Sequence, residues 1–484
     1  MQSFPYAPSV FGILQAHARL HPHEAAVISP RGAISYRDLC QHIDRVTRHL
    51  SSFELPAGSR VVISATNGYY RWMLYVALAR LGMVSVVSPM LDLAKPVAVV
   101  TDQPGTSGSF REILIKDSWM SAAADALPPF QEPRHPADDH CTIVLSSGTT
   151  GTPKLAPFSY AQVNERIRAT IVSYSVSNST RMLATVGMST IGGLILPLAA
   201  WYSGGAVILA PAEDAGFMRF RPTIMFVSTA QLGGFAKSLG PDRTPIQPPT
   251  IFVAGSVLPR QVNLGARLRF GAAIMMVYGS TEVGTVTLAP AAHTDAMPAL
   301  TGYVMPHAEV EIVDPQGKPV PHGTVGEVRV RTPGQVELYL DDPKTSAATF
   351  HDGWFHPGDM GVLGRKGDLS IVGRVNELMN FSGVKLAPHA VEEALGNIHG
   401  VSDLAVFSLS GPQGERPCIA VVPTSGMFGQ DELAAKFQKA YPLLPKVTVF
   451  QVARIPRNDM GKVMRSQLAL EATSGGGDRA PTVH

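Results

Sequence analysis

Short apolar runs of strand length alternate with longer segments of helical periodicity along the first part of the chain. The runs are rich in β-branched residues, which favour strands. Strands are predicted at residues 61–65, 84–87, 142–145, 224–227, 251–254 and 274–277, and helices at 34–49, 69–81 and 159–173. This alternation predicts an α/β fold of layered parallel sheets with helices on both faces, and ligands at the carboxyl ends of the strands.

The pattern changes in the last third of the chain. Between Val310 and Arg331, short alternating strands are separated by a turn cluster at residues 314–319, which predicts a small β-subdomain. Beyond about Arg374, helices near residues 388–396 and 430–441 alternate with strands near 404–408, 418–422 and 447–452. We therefore expect an N-terminal domain at 1–373 with its β-subdomain at about 303–373, a hinge at 374–378, and a mobile α+β lid domain at 379–472. A disordered, glycine-rich tail is expected at 473–484.

Residues 182–212 form an uncharged stretch long enough to cross a membrane. Several glycines and Pro197 interrupt it, however, which favours separate elements of a folded core. We expect a strand near 183–187, a buried helix near 191–202 and a strand at 206–209. The chain is therefore predicted to have no integral membrane association.

The composition excludes several functional classes. Forty basic and 38 acidic residues give a net charge of +2, whereas a nucleic-acid-binding protein normally has a strong basic excess. The three cysteines suit neither a disulfide framework nor a metal-ligand spacing. The N-terminus lacks the basic flank and apolar core of a signal peptide. We expect a cytoplasmic monomer or homodimer that does not bind nucleic acid.

A loop rich in hydroxyl groups and glycines follows the predicted strand at 142–145 and ends at Lys154. Glycines let successive backbone N–H groups turn inward around an anion, while the hydroxyls and the lysine add donors and a positive charge. The loop differs from the common P-loop because Pro153 replaces a glycine and Leu155 follows the lysine. It is therefore predicted to bind a nucleotide triphosphate by another arrangement.

Residues 146–156 resemble the signature loop of the acyl-adenylate-forming superfamily, which comprises acyl- and aryl-CoA synthetases, the adenylation domains of nonribosomal peptide synthesis and firefly-type luciferases. Further motifs of this superfamily follow in the same order and at similar spacing. They lie at residues 278–284, 326–328, 353–359, 373–377, 380–385 and 456–465. Together with the loop, they span the chain from Ser146 to Arg465.

The resemblance implies the role of each motif residue. Tyr278 would stack on adenine, Thr281 would contact the α-phosphate and Glu282 would hold Mg²⁺, and these residue types suit those ligands. For the motif at 278–284 alone, the alternative is a turn with an exposed glutamate. The implied catalytic residues are Lys462, Thr281, Glu282 and Lys154. The implied nucleotide-binding residues are Ser146, Ser147, Gly148, Thr149, Thr150, Gly151, Lys154, Gly255, Ser256, Tyr278, Gly279, Ser280, Thr281, Asp359, Arg374 and Lys462.

The resemblance also implies a reaction in two halves. A carboxylate would attack the α-phosphorus of ATP and release pyrophosphate, and the acyl-adenylate would then pass its acyl group to the thiol of CoA. Lys462 would assist the first half. Rotation about a hinge at Asn376 would then bring the loop around Ser382 and Gly383 to the thiol. ATP, Mg²⁺ and CoA are accordingly the expected cofactors and substrates.

Three departures from the superfamily's pattern concern the hinge and the acyl pocket. Asn376 stands where an aspartate is usual, Asn380 stands where a lysine is usual, and Ser189-Thr190 replaces an aromatic-histidine pair. Amino-acid-activating members place an aspartate in this pocket segment, but no acidic residue occurs between Met182 and Glu213. A buried ammonium without a partner would be costly. We therefore expect an apolar acyl or aryl carboxylate as substrate. The predicted pocket residues are Ser189, Thr190, Gly192, Thr229, Val277 and Gly279.

Two alternatives to an AMP-forming acyl-CoA synthetase stay open. The acyl group could pass to the phosphopantetheine arm of a separate carrier protein or remain as an adenylate. The chain could also be an adenylate-binding homologue without turnover, which the departures at Asn376, Asn380 and Thr190 allow. Pyrophosphate exchange against a panel of carboxylic acids would separate an enzyme from a binding protein.

Overall fold

The chain folds into two compact units. A computed structural model describes residue 6 and residues 8–87, 90–146, 153–210, 215–238, 247–271, 273–297, 299–377, 379–381, 384–396, 398–411, 414–424, 428–457, 463–473 and 482–483. The N-terminal unit comprises Met1–Ala292, Val304–Glu309 and Val330–Phe355, and the C-terminal unit comprises His293–Tyr303, Val310–Arg329 and His356–His484. The expected β-subdomain is thus divided between the units, and the expected domain boundary at residue 373 stays a prediction.

The helices of the N-terminal unit begin at side-chain caps that the sequence provides. Ser35 caps the helix Tyr36–Ser51, and Ser159 caps Tyr160–Ser173 in a capping box with Gln162. These hydroxyls satisfy backbone N–H groups that have no partner inside the helix. The helices described in this unit are Val10–Leu20, Tyr36–Ser51, Gly68–Arg80, Leu91–Ala94, Tyr160–Ser173, Ile191–Tyr202, Thr229–Ser238, Arg260–Phe270 and Pro343–Thr349. Short 3₁₀ helices cover Asp117–Met120, Ala122–Ala126 and Ala215–Phe220 in this unit, and Ala291–Asp295 and Val375–Glu377 later in the chain.

One sheet of the N-terminal unit has six strands. Their order across the sheet is Arg111–Leu114, Ala98–Thr101, Arg60–Ile63, Val84–Val86, His140–Ser146 and Lys154–Ser159. All neighbours are parallel except the last two strands, which form an antiparallel hairpin with Ser146 opposite Lys154. Apolar side chains that include Val62, Val99 and Ile143 form a core cluster against this sheet. The hairpin places the predicted phosphate loop at the carboxyl end of the strand His140–Ser146.

The strands of a second sheet in this unit are also mostly parallel. Their order is Gly32–Ser35, Ala25–Ser29, Ala206–Ile208, Arg181–Ala184, Ile224–Ser228, Thr250–Ala254, Ile274–Ser280 and Gly284–Pro290. The pair at each end of this run is antiparallel. Two short strands at Phe350–His351 and Trp354–Phe355 pair with each other elsewhere in the unit. The predicted parallel architecture is confirmed, whereas the antiparallel pair of Ile274–Ser280 with Gly284–Pro290 was not expected from the sequence.

The uncharged stretch at 182–212 is core structure. It contributes to the strand Arg181–Ala184, forms the helix Ile191–Tyr202 and forms the strand Ala206–Ile208. Trp201 on that helix is fully buried and donates its indole N–H to the carbonyl oxygen of Ala26 at 2.9 Å. Within the described ranges, no helix has the length and apolar character needed to cross a membrane.

The C-terminal unit combines antiparallel strands with an α+β region. Leu300–Val304, Asp368–Arg374, Asp359–Leu363, Val325–Arg331 and Glu309–Val313 pair in that order. After them, Met379–Phe381 pairs with Val384–Leu386, and a further sheet contains Val401–Gly411, Gly414–Pro423, Thr448–Gln451 and Thr482–Val483. Helices Pro388–Leu395, Gln430–Ala440 and Arg465–Thr473 belong to this region.

The C-terminal α+β region has its own apolar core. Val391, Leu433 and Phe437 from two of its helices pack against sheet residues that include Ile419 and Val449. The predicted helices and strands are therefore present here. The expected disorder of residues 473–484 is wrong at two of them, because Thr482–Val483 forms a strand that pairs with Thr448–Gln451. Residues 474–481 lie outside the described residues, so their disorder stays a prediction.

Candidate active site

The centre of the predicted site is a buried carboxylate, Glu282. Its side chain is only 4% exposed. Its Oε1 atom accepts hydrogen bonds from the Ser146 hydroxyl at 2.5 Å and the Tyr339 hydroxyl at 2.6 Å. Glu282 is therefore not the exposed residue of an ordinary turn. Ser146, which was predicted to contact the nucleotide, donates its hydroxyl hydrogen to this carboxylate.

Two glycines shape the turn that carries Glu282. A Cβ atom on Gly279 would lie 1.9 Å from the carbonyl oxygen of Gly284, so only glycine allows this close approach of the two strands. Gly284 has a φ of +72°, which lies in the left-handed region that glycine adopts without strain. The backbone carbonyl of Glu282 accepts a hydrogen bond from the Val336 N–H at 2.9 Å. The sequence of the motif thus explains the local path of the chain.

A buried arginine, Arg166, forms hydrogen bonds with the backbone of this turn. Arg166, on the helix Tyr160–Ser173, is 4% exposed and donates to the carbonyl oxygens of Gly334 at 2.8 Å, Thr281 at 3.2 Å and Glu282. Burial lowers the pKa of Arg166 to about 9, while the Glu282 carboxylate opposes this shift. Arg166 is therefore still protonated at neutral pH. It joins the Thr281-Glu282 pair to the loop at Gly334 through one side chain.

Lys154 lies at the base of the predicted phosphate loop, opposite Ser146 in the hairpin. Its Nζ atom sits over the Tyr339 ring, 5.1 Å from the ring centroid, a distance at which a cation interacts favourably with an aromatic face. The neighbouring Leu155 carbonyl accepts a hydrogen bond from the Leu340 N–H at 2.9 Å. The structure therefore brings Ser146, Lys154 and Glu282 together around Tyr339.

The residues present fit a magnesium ion at Glu282. Among the described residues, the hydrogen bonds recorded to this carboxylate all reach Oε1. The Oε2 atom is thus the oxygen offered to a cation. A single carboxylate oxygen suits Mg²⁺, which usually takes one or two carboxylates and completes its shell with substrate phosphates and water.

The predicted acyl-pocket residues follow strands that are neighbours in the second sheet. Thr229 follows the strand Ile224–Ser228, and its hydroxyl donates to the carbonyl of Ser256, which follows the strand Thr250–Ala254, at 3.3 Å. Val277 and Gly279 lie on the next strand across the sheet, Ile274–Ser280. Their convergence at one edge is what a parallel sheet provides.

Two of the predicted pocket residues have a clear structural role. The Thr190 hydroxyl accepts from the Gly193 N–H at 3.1 Å and donates to the Gly187 carbonyl at 2.9 Å, so it caps the helix Ile191–Tyr202. A Cβ atom on Gly192 would lie 2.5 Å from the Phe226 ring, so this glycine lets the helix approach that ring. Ser189, immediately before the cap, is partly buried. Their part in substrate binding stays a prediction.

In the C-terminal unit, the buried Asp359 forms an ion pair with the partly exposed Arg374. They lie opposite each other on adjacent strands, and Arg374 Nε is 2.9 Å from Asp359 Oδ1. Asp359 is 3% exposed. Arg374 also donates to the Pro357 carbonyl at 3.3 Å. Asp359 and Arg374, which were predicted from two separate motifs to bind the nucleotide, are therefore neighbours.

Several predicted site residues lie outside the described residues. They are Ser147, Gly148, Thr149, Thr150 and Gly151 of the phosphate loop, Ser382 and Gly383 of the thiol loop, and Lys462. The backbone at Asn376 is described and lies in the 3₁₀ helix Val375–Glu377. The roles of all these residues stay predictions.

Sequence reasoning missed Tyr339 and Arg166. Neither lies in a segment that had been assigned chemistry, although Tyr339 follows the motif at residues 326–328 by about a dozen residues. The sequence around Arg166 does not indicate its role, because its hydrogen-bond partners are more than a hundred residues away along the chain.

Comparison with known proteins agrees with this geometry. The family described as AMP-binding enzyme matches residues 14–340. Feruloyl-CoA synthase from Amycolatopsis sp. is 26% identical over 483 residues, covering 93% of this chain and 96% of the relative. Indoleacetate–CoA ligase from Aromatoleum aromaticum is 27% identical over 494 residues, covering 94% of this chain and 96% of the relative.

Solved structures show the same fold. O-succinylbenzoate CoA synthetase from Bacillus subtilis, in complex with an acyl-adenylate intermediate, superposes with a TM-score of 0.84. The identity is 20%, and the match covers 98% of this chain and 99% of that chain. MatB from Rhodopseudomonas palustris with bound ATP gives a TM-score of 0.82 at 22% identity, covering 94% of this chain and 98% of that chain. The fold, the motif geometry and a family match over more than half of the residues agree, and the chain belongs to the AMP-binding enzyme family.

Proposed function

We propose that this chain converts an apolar acyl or aryl carboxylic acid into its CoA thioester, using ATP with Mg²⁺ and releasing pyrophosphate and then AMP. The observation that carries this proposal is the buried Glu282 carboxylate, which is hydrogen-bonded to Ser146 at the foot of the phosphate loop. Family membership and the CoA-ligase names of the relatives support the same reaction.

The first half-reaction joins two anions. The substrate carboxylate oxygen bonds to the α-phosphorus of ATP, and the bond to the bridging oxygen breaks so that pyrophosphate leaves. Bound Mg²⁺ would supply positive charge to the phosphates from Glu282. Lys154, at the end of the predicted phosphate loop, would offset negative charge, because preorganised charges of this kind stabilise a transition state more than water does. Lys462 is assigned to the same half-reaction by the motif resemblance.

In the second half-reaction, the thiol sulfur of CoA bonds to the acyl carbon and AMP leaves with the electron pair of the acyl–oxygen bond. The thiol proton passes to solvent or to a base that we do not assign. Rotation at the hinge 374–378 is proposed to exchange Lys462 for the loop around Ser382. This order explains why one chain can perform two reactions at one nucleotide site.

The substrate class follows from the pocket's chemistry. The predicted pocket residues are hydroxyl-bearing, small or apolar, and the segment from Met182 to Glu213 has no acid to pair with an ammonium group. The names feruloyl-CoA synthase and indoleacetate–CoA ligase both denote aromatic acids as substrates of those relatives. An aryl or apolar carboxylic acid therefore suits this chain better than an amino acid.

The test is pyrophosphate–ATP exchange with the full chain against aryl, fatty, dicarboxylic and amino acids. Exchange that depends on an aryl or apolar acid supports the proposal, and exchange only with an amino acid contradicts the substrate class. A second assay supplies CoA or a phosphopantetheine-bearing carrier protein as acceptor to the positive acid. ATP binding without exchange on any acid would favour the adenylate-binding alternative, and thioester formation only on the carrier would favour that acceptor.

A further inference from the structure

We infer that Tyr339 is a positioning residue for the metal-binding carboxylate. Together with Ser146 it holds one oxygen of Glu282 so that the other faces a magnesium ion. The inference rests on the proposed function, because it concerns the metal of the adenylation step. Tyr339 lies in none of the segments that suggested the function from the sequence.

The hydroxyl of Tyr339 is well placed and its ring is fixed. The side chain is 6% exposed, and the hydroxyl donates to Glu282 Oε1 at 2.6 Å. The backbone N–H of Tyr339 donates to the Ser346 hydroxyl at 2.9 Å, and the Leu340 N–H donates to the Leu155 carbonyl at 2.9 Å. Two backbone hydrogen bonds, from Tyr339 and Leu340, therefore hold the segment that carries the ring. They limit movement of the phenol away from the carboxylate.

Two hydroxyl donors on one carboxylate oxygen have a directional effect. Ser146 and Tyr339 occupy lone pairs of Oε1, so Oε2 keeps its lone pairs for a cation. They also stop the carboxyl group from turning about its last side-chain bond. An ion meets a carboxylate that is already oriented.

The Tyr339 ring has a second contact that a substitution can separate from the first. Lys154 Nζ lies 5.1 Å from the ring centroid, on the ring face, whereas the hydroxyl at the ring edge binds Glu282. Tyr339→Phe keeps the ring beneath Lys154 and removes only the donor to Glu282. Tyr339→Leu removes both contacts. Comparing the two variants therefore separates the effect on the carboxylate from the effect on the lysine.

The experiment measures the Mg²⁺ dependence of the full-length Tyr339→Phe variant. In pyrophosphate exchange, we expect the Mg²⁺ concentration for half-maximal rate to rise about tenfold, since a hydrogen bond to a charged group is worth roughly that factor or more. The KM for the carboxylic acid, and thioester formation from a supplied acyl-adenylate, should change less than twofold. A residue that only stabilised the fold would not shift the Mg²⁺ dependence while leaving the other two readouts unchanged.

Tyr36→Phe is the matched control. Tyr36 is also buried and its hydroxyl donates at 2.6 Å to the Gly205 carbonyl, so this variant loses a similar hydrogen bond away from the carboxylate. It should leave the Mg²⁺ dependence unchanged. The inference is overturned if Tyr339→Phe has the wild-type Mg²⁺ dependence, or if Tyr36→Phe shifts it equally.

A binding assay separates failure of this inference from failure of the proposed function. Calorimetric titration of ATP with and without Mg²⁺ needs no turnover. If the wild type exchanges pyrophosphate with no acid, the proposed function fails. Tyr339→Phe should nonetheless lose about tenfold in the Mg²⁺-dependent part of its ATP affinity if the tyrosine orients Glu282. An equal Mg²⁺ effect in wild type and variant rejects the positioning role in either case.

Discussion

Replacing Arg166 with methionine tests how the Glu282 turn is supported. Methionine approximates the length of the arginine stem but has no donor. The carbonyl oxygens of Gly334 and Thr281 then lose their hydrogen bonds to the guanidinium. Glu282 keeps a second donor to its carbonyl, because the Val336 N–H lies 2.9 Å from that oxygen.

The magnitude follows from the two carbonyls that lose this donor. A buried acceptor left without a hydrogen bond costs about 1–3 kcal/mol, so two cost about 2–6 kcal/mol. Part of this loss is offset because a charged guanidinium no longer has to be buried and the methionine can pack near Phe158. We expect the free energy of unfolding of the N-terminal unit to fall by about 2–4 kcal/mol.

Tryptophan fluorescence during urea unfolding measures this change in the relevant unit. The chain has four tryptophans, and all of them lie in the N-terminal unit at Trp72, Trp119, Trp201 and Trp354. The control is Arg168→Met on the same helix. Arg168 is 59% exposed and its partner is the exposed Glu165, so its loss should change stability by less than about 0.5 kcal/mol. Equal unfolding midpoints for wild type and Arg166→Met would refute the reasoning.

Three further predictions concern chemistry and pH. Lys462→Ala should reduce pyrophosphate exchange by about a hundredfold or more while thioester formation from a supplied acyl-adenylate stays near wild type, since the motif assigns this lysine to adenylation alone; equal losses in both assays would contradict domain alternation. The resemblance of residues 353–359 to the superfamily implies that Asp359 accepts hydrogen bonds from the ribose hydroxyls, so Asp359→Asn should weaken ATP binding about tenfold by removing these charge-assisted bonds, and 2′-deoxy-ATP should then bind the variant as well as ATP does; an undiminished preference for ATP would contradict this role. Burial lowers the pKa of His307, whose Nε2 lies 2.9 Å from the Thr285 carbonyl, below the value of about 6.5 expected in the unfolded chain. The unfolded state therefore takes up a proton first as the pH falls through 6.5, stability decreases, and His307→Gln should make unfolding by urea less dependent on pH between pH 7 and 5.

Local sequence patterns predicted helices whose ends and capping depend on interactions between residues close together in the chain. The helix Ile191–Tyr202 was expected at these residues, because an apolar segment after a threonine cap and before a glycine pair leaves few other conformations. A helix was likewise expected at 34–49, and the Ser35 side chain caps it by accepting from the Asp38 N–H. These features depend on residues within one or two turns of each other. The sequence alone was sufficient for them.

The support of the candidate site could not be predicted in the same way. The motif at 278–284 indicated a metal-binding glutamate, but the residues that orient it come from elsewhere in the chain. Ser146 is 136 positions away from Glu282 and Tyr339 is 57 positions away. Such contacts result from the packing of sheets and loops that are distant in the chain. No local sequence pattern predicts them. The sequence thus predicted the reacting groups but not Tyr339 and Arg166, which support the Glu282 turn.

Contacts between distant residues also matter for the departure at Asn376, in the predicted hinge. Asn376 lacks the charge that the superfamily usually has at this position. The next residue, Glu377, nevertheless accepts from Arg465 at 3.3 Å, and Arg465 also donates to Glu392 at 2.6 Å and to the Val406 carbonyl at 2.9 Å. Arg465 is the last residue of the C-terminal motif that contains the predicted catalytic lysine. A charged link therefore joins the predicted hinge segment to that motif within the C-terminal unit, and Arg465→Met should lower the rate of pyrophosphate exchange even though no predicted reacting group is changed.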